Sequence, residues 1–327
     1  MHPWTIRVSV LPDELFSTWL VRAALAQGCD PMHLTGALWP RWRAWTVDLD
    51  RGINEHRMAI LAGRSGVDAA RLEAATLRPI LAAVAPGIKP AKANWPWVLA
   101  QGSRNRRRRG GLQFCPLCLA GDATPYFRRT WRLAWHVGCV RHRTLLADHC
   151  GHCQSLIEPH RVHTNDATLC RCPSCGHDLR RTTTVEVCPQ ALTFQVTADQ
   201  VLAHGHGTWL ATEISREEWF RLAEIHAGGR ILVRRDDEVS LGLTALPMSL
   251  QRPSERVLRL RMALRGMNGE PRGRPAPPTR SNTEHKQTQV TAPSHHDAPA
   301  RPAPARPQAK VQGEWIRLLR RLRVGHP

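Results

Sequence analysis

Lysine and acidic residues are both scarce in this chain of 327 residues. Lys89, Lys92, Lys286 and Lys310 are its only lysines, and 46 Lys+Arg stand against 27 Asp+Glu. The thin spread of carboxylates shows no acidic constellation of the kind a metal-dependent nuclease needs. No G-x-x-x-x-G-K-[ST] loop occurs, which excludes a P-loop ATPase. No run approaches the roughly 18 consecutive apolar residues of a membrane span. The opening "MHPWTIRVSVLPDELF" lacks the charged start, apolar core and cleavage site of a signal peptide. The chain is therefore expected in a reducing, cytoplasmic compartment, where ten cysteines would not be spent on disulfides. What is abundant is arginine. The formal charge of +19 implies an anionic partner, most often nucleic acid. A codon bias would explain arginine over lysine, but not the sign of the total.

Residues 12–26 read as a helix. Pro12 suits the first helical position, Asp13 and Glu14 favour its positive end, and Leu15, Phe16, Trp19, Leu20 and Ala23 form one apolar stripe that Gly28 ends. Asp30-Pro31 begins a short second helix. Residues 54–78 read as helix, tight turn, helix. Asn54 caps the first; Met58, Leu61 and Ala62 face inward; "GRSG" turns the chain; Leu72, Ala75 and Thr76 continue the packing. This is a helix-turn-helix pattern, with Arg71 and Arg78 placed on the second helix to meet a phosphate or a base. An ordinary helical hairpin is the plainer reading.

The run "GSRNRRRRGG" reads as a basic linker and domain boundary at 102–111. Its Arg104, Arg106, Arg107, Arg108 and Arg109 would attract a phosphate backbone. Helical patterning resumes at 190–267, with a Ser215/Glu218 capping box and Ser254 as a second cap. Residues 268–312, rich in Pro, Ala, Thr, Ser and His, are expected to be disordered. Residues 313–327 carry a short basic amphipathic helix. The expected fold is mainly α with small zinc-stabilised β/loop modules: an N-terminal helical domain with a helix-turn-helix at 1–101, tandem zinc fingers at 112–189, and a C-terminal helical region at 190–267. Trp4, Trp219 and Phe220 are candidate apolar anchors on the less charged ends of the chain, where a partner would dock, although core packing is the first expectation for any one of them.

The cysteines carry the chemistry. Cys115 and Cys118 form C-x2-C, Cys139 and His142 form C-x2-H, and Cys150/Cys153 and Cys172/Cys175 are two further C-x2-C pairs, four pairs in 61 residues. Two intervening residues let one tight turn present both ligands to the same ion, and two such turns complete a closed tetrahedron, the arrangement of structural Zn²⁺. A redox role would use one reactive pair, and catalytic zinc would keep an open position. The seven residues from Arg143 to His149 favour sequential pairing over a RING-type cross-brace, in which that gap is shorter. One ion is then held by Cys115, Cys118, Cys139 and His142, the second by Cys150, Cys153, Cys172 and Cys175. Cys170 is a spare. Cys29 and Cys188 read as buried small hydrophobes, and His136, His149 and His152 break the spacing. Trp131 and Trp135, four apart, pack on the zinc lobe as if on one helix face, which turns Arg128, Arg129 and Arg132 outward as phosphate contacts.

These residues resemble a known family. "LPDELFSTWLVRAA" is similar to the opening signature of the TniQ/TnsD transposon target-site selectors. "FCPLCLAGDATPYFRRTWRLAWHVGCVRHRTLLADHCGHC" resembles their central zinc region, and "CPSCGHDL" their last knuckle; the likeness runs over roughly residues 10–190. It implies a non-catalytic accessory protein, not an enzyme, which helps select the DNA target site. It further implies recruitment of an AAA+ ATPase regulator and, through it, the transposase, in a bacterial cytoplasm at the nucleoid. Some members work with an RNA-guided complex instead of reading DNA directly, and a homodimer is a further partner left open. The alternatives are a zinc-containing helix-turn-helix transcription regulator, which lacks the "PYFRRTWRLAW" stretch, and a RING-type ligase, which needs cross-brace zinc.

Overall fold

Helix α1 spans Phe16–Ala26, four residues later than its local signals suggest. The reason is tertiary. Asp13 adopts φ 54°; its carbonyl accepts Arg129 N at 2.7 Å and its carboxylate accepts the Thr130 hydroxyl at 2.6 Å. Glu14 accepts Leu11 N at 2.9 Å and pairs with Arg22 at 2.6 Å. The "PDE" segment thus ties the chain to residues 128–130 instead of opening a helix. Leu15 offers no side-chain cap. Asp50 supplies one from a distance, accepting Ser17 N at 2.7 Å.

The structure, a computed structural model, describes residues 3–89, 95–101, 111–166, 168–228 and 248–270. Most linker residues, the expected disorder from 271 onward and the C-terminal helix at 313–327 lie outside them. Among the described residues the fold is mainly helical, with two two-stranded sheets. No described helix is long and apolar enough to cross a membrane.

Helix α1 is buried all round, not along one stripe. Phe16, Trp19, Leu20, Ala23 and Ala24 face a core shared with α2 (Pro31–Leu38), α3 (Glu55–Ser65) and α4 (Ala69–Ala74), while Leu15 and Val21 join a second, larger core. Asp30 precedes α2 without capping it and accepts Thr164 N at 2.8 Å instead. Asn54 caps α3 by accepting Arg57 N at 3.0 Å, and left-handed Gly66 ends that helix. Asp68 caps α4. The second helix is short: α4 stops at Ala74, and Arg78 opens a separate helix, α5 (Arg78–Val84).

The larger core crosses the 102–111 segment. Val84, Trp97 and Leu99 from before it pack with Leu112, Phe114, Trp131 and Trp135 from after it. Trp97, Trp135 and Phe220 meet edge-on or tilted with ring centroids 5.0–6.0 Å apart. Trp219 and Phe220 are 0% exposed, so core packing, the first expectation for each, is their role and surface anchoring is not. Trp4 is half-buried against Trp19. Trp131 ends up in core from a 3-10 turn at Arg129–Arg132, and Trp135 follows it, so a shared core and not one helix face explains both.

Helix α6 (Pro116–Gly121) and the paired strands β1 (Gly138–Cys139) and β2 (Thr144–Leu145) frame the first cysteine group. A Cβ at Gly138 would sit 2.7 Å from Val187 Cγ2, so only glycine lets that strand close against its neighbour. After the second group come α7 (Pro189–His204), a hairpin of β3 (His206–Trp209) and β4 (Thr212–Ser215), α8 (Arg216–Gly228) and α9 (Pro253–Met267). The hairpin was not anticipated. Its two turn residues, Leu210 and Ala211, have φ 49° and 62°, the type I′ geometry that Asn-Gly normally announces. Ser215 Oγ accepts Glu218 N at 3.3 Å at the start of α8. Ser254 is not the cap of α9; the helix begins at Pro253, and Glu255 accepts Arg252 N at 2.8 Å.

Candidate metal centres

Three of the four ligand pairs are built by one local device. After the first ligand of each pair the chain turns, and the residue that follows the second ligand takes a left-handed conformation: Arg143 (φ 53°), Gln154 (φ 59°) and Gly176 (φ 71°). Each then donates its N–H to the carbonyl of the first ligand, Cys139, Cys150 and Cys172, at 2.7, 3.0 and 2.8 Å. The remaining pair, Cys115 and Cys118, uses α6: Cys115 stands at its N-cap and Cys118 in its first turn.

These turns bring the eight residues into two quartets in sequential order, Cys115/Cys118/Cys139/His142 and Cys150/Cys153/Cys172/Cys175, with ligand atoms within 4.8 Å of one another in each. In the first, the Nδ1 atom of His142 lies 3.4 Å from the sulfurs of Cys115, Cys118 and Cys139, and Cys118 Sγ lies 3.5 Å from Cys139 Sγ. In the second, Cys150 Sγ is 3.8 Å from Cys175 Sγ and Cys153 Sγ is 3.7 Å from Cys172 Sγ. Bonds of about 2.3 Å to sulfur and 2.0–2.1 Å to nitrogen give a tetrahedron edges of roughly 3.5–3.8 Å, so both donor sets fit a tetrahedral ion such as zinc. Four protein donors close each site and leave no position for a reacting group.

Packed this closely, the donors polarise one another. Cys118 holds the Cys115 thiol well below its ordinary range, and Cys115 in turn pushes Cys118 well above it. The Ser155 hydroxyl lowers Cys153 to about 6, whereas burial raises Cys172 to about 12. A divalent cation is what lets such donors be thiolates together. The first quartet is buried except for half-buried His142; in the second, Cys175 is exposed. Cys170 is buried outside both quartets, its sulfur facing Leu119 O. Cys29 and Cys188 lie outside both quartets, as expected, but are only partly buried, each packed against a core; Cys188 donates to Gln190 Oε1 at 2.8 Å.

The arginines expected at a phosphate backbone have diverse placements. Arg132 faces inward: it is 0% exposed, and it pairs with Asp48 and Asp50, each at 2.6 Å. The 3-10 turn directs its side chain away from the surface, so it has nothing to offer a phosphate. Arg128 is held by Asp122 at 2.8 Å and lies over the rings of Tyr126 and Trp131. Arg129 is partly buried beside Asp13 and donates to Ala74 O. Arg78 donates to Ile53 O at 2.8 Å and Arg51 O at 3.1 Å and pairs with Glu73. Arg71 is exposed, with one nitrogen on Val10 O at 3.0 Å. Arg104, Arg106, Arg107, Arg108 and Arg109 lie outside the described residues.

Missed entirely was a polar network that binds α7 and α9 to the first quartet. His136 and Trp135 both meet Asp199 at 2.8 Å, and Gln195 accepts Val137 N and Gly138 N. Arg256, fully buried, donates to Gln113 and to the carbonyls of Ala134 and His136. Only the helical spacing of Gln195 and Asp199 hinted at it.

The family model described as TniQ matches residues 5–146. It spans the N-terminal helices and the whole first quartet and stops short of Cys150. No curated protein matches this sequence.

Proposed function

We propose that this chain, a TniQ-family member through residues 5–146, is a non-catalytic accessory protein of DNA transposition that helps select the target site. In this reading it recruits an AAA+ ATPase regulator, which in turn brings the transposase. The family match carries the reading. The closed quartets support it, because four protein donors per ion build shape and leave no open coordination position. Zn²⁺ is the ion proposed for both, since thiolate-rich tetrahedral sets favour it over harder cations. Bound zinc would contribute on the order of 10 kcal/mol to each lobe. DNA contact is assigned to the linker arginines Arg104, Arg106, Arg107, Arg108 and Arg109, with exposed Arg71 as the described residue best placed to join them. The charge of +19 supports this.

The test is retention of a candidate AAA+ ATPase regulator by the tagged, intact protein, with and without DNA, alongside a reconstituted transposition reaction. Retention, and a target distribution that changes when the chain is omitted, are expected. An ATPase that is not retained, together with an unchanged distribution, would remove the proposal.

A further inference from the structure

An aspartate at a helix start ordinarily turns back to accept N–H groups of the first turn. Asp30 does not, although it stands at the N-cap of α2. Its carboxylate reaches across to the second lobe instead, where Oδ1 accepts Thr164 N at 2.8 Å. That contact sets the direction of Oδ2, which faces two imidazoles. Nδ1 of His33, three residues on in the sequence, lies 3.8 Å from it, and Nδ1 of His163 lies 3.5 Å from it. No arginine or lysine pairs with Asp30 among the described residues. Arg161, the nearest to His163 along the chain, is held by Glu158 at 2.9 Å.

The first of these distances is beyond hydrogen-bond range and the second is at its limit, since ordinary N–H···O bonds run about 2.7–3.2 Å. Two imidazolium rings drawn to one oxygen would also repel each other. The spacing is close to that of ligands around one ion. Bonds of about 2.0–2.2 Å to imidazole nitrogen and carboxylate oxygen set tetrahedral edges of roughly 3.3–3.6 Å. The edge between the two rings is wider, because among the described residues only the quartets have all their ligand atoms within 4.8 Å of one another. Side chains 82% exposed at His33 and 75% exposed at His163 leave the rings free to rotate and close it. Asp30-x-x-His33 repeats the ligand spacing of the cysteine pairs, and His163 adds a third donor from another segment. Imidazole and carboxylate together suit zinc, cobalt or nickel better than magnesium or calcium.

We infer that Asp30, His33 and His163 form a third metal site, which takes a divalent cation of the zinc class and leaves one coordination position to water. Each quartet lies within one lobe, whereas this site joins α2 to the second lobe across 133 positions of sequence. With two imidazoles and one carboxylate in place of three or four thiolates, it fills and empties while the quartets stay loaded. The ion then governs how firmly the second lobe is seated on the N-terminal helices. None of this depends on the transposition role.

The untagged full chain, dialysed to constant metal content, would be titrated with ZnCl₂ in a calorimeter. One further equivalent is expected to bind and to raise the melting temperature. His33→Gln and His163→Gln, both at exposed positions, should keep the starting metal content and melting temperature. Each should lose more affinity for added zinc than the roughly 10–100-fold that a change behind a ligand costs, and neither should gain stability from it. His204→Gln, an exposed histidine at the end of α7, should behave as the parent. Absence of a further equivalent in the parent overturns the assignment. So does an equivalent that survives in His33→Gln or His163→Gln, because it would belong to others of the 17 histidines. Binding that leaves the parent's melting temperature unmoved overturns the joining role.

Discussion

Arg132 Nη1 meets Asp50 Oδ2 at 2.6 Å across 82 positions of sequence, with both side chains fully shielded from solvent. Asp50 is also the remote cap of α1, through Ser17 N and the Ser17 hydroxyl. One carboxylate therefore anchors the first helix to the segment that carries the first quartet. Removing one partner of a buried pair leaves an uncompensated charge, which costs about 3–5 kcal/mol. Arg132→Met should lower stability by about that much in urea unfolding. The double variant Arg132→Met, Asp50→Asn should recover part of the loss. If the single variant is as stable as the parent, the pair does not hold these segments together.

The quartets predict a selective response to cysteine substitution. Elemental analysis of the purified chain should give two zinc ions. Cys118→Ser and Cys153→Ser should each lose one ion and unfold the surrounding lobe. Cys170→Ala should keep both, despite burial as deep as that of Cys172, at the modest cost of a small core truncation. Loss of an ion in Cys170→Ala would redraw the second quartet.

The quartets were legible because their pattern is local: two residues between the donors of each pair, and four pairs within 61 positions. The Asp50–Arg132 pair was not, because nothing local distinguishes an arginine that turns inward from one that faces solvent. Local rules also misled at "PDE", where helix-start residues found stronger partners at Arg129 and Thr130. For Trp219 and Phe220 the sequence left core and surface both open, and partners decided for the core: Phe194 and Trp209 for Trp219, Trp97 and Trp135 for Phe220. The separation at 102–111 follows the composition of the segment, whereas the core follows contacts between its two flanks.

The β3–β4 hairpin offers a test of why it escaped notice. Leu210 and Ala211 hold left-handed conformations that cost non-glycine residues energy. Both are exposed. Replacing the pair by Asn-Gly should raise stability by about 1 kcal/mol in thermal unfolding. A loss of stability would mean that Leu210 contributes more through its contact with the end of α9 than its conformation costs.

Two groups tilt the pH dependence in opposite directions. Burial pushes His160 down to about 4, so between pH 4 and 6.5 the unfolded state binds the proton and the folded state does not, and stability rises with pH there. Burial pushes Asp50 up to about 6 against the pull of Arg132. The folded state then holds the proton between pH 4 and 6, and stability falls as pH rises. His160→Phe, which keeps a ring on Trp45, should make the slope in this window less positive by up to about 1.4 kcal/mol per pH unit. Asp50→Asn should make it more positive. Two variants that shift the slope the same way would refute the sign of one of these effects.

The last prediction separates arginines that meet DNA from those that hold the fold. Each phosphate neutralised adds about 0.9 to the slope of log affinity against log salt. Replacing Arg104, Arg106, Arg107, Arg108 and Arg109 by Gln should therefore flatten that slope by several units without changing the melting temperature. Arg71→Gln, on an exposed side chain with one internal hydrogen bond, should flatten it by no more than about one. Arg78→Gln behaves differently, because its donors serve Arg51 O, Ile53 O and Glu73 at the junction of α4 and α5. It should lower the melting temperature and leave the salt slope unchanged once the protein is folded. Arg128→Gln, which loses Asp122 and two ring faces, should do the same. A slope that survives the linker substitutions but collapses in Arg78→Gln at constant stability would move the DNA-facing surface to the α4–α5 junction and make the linker a bystander.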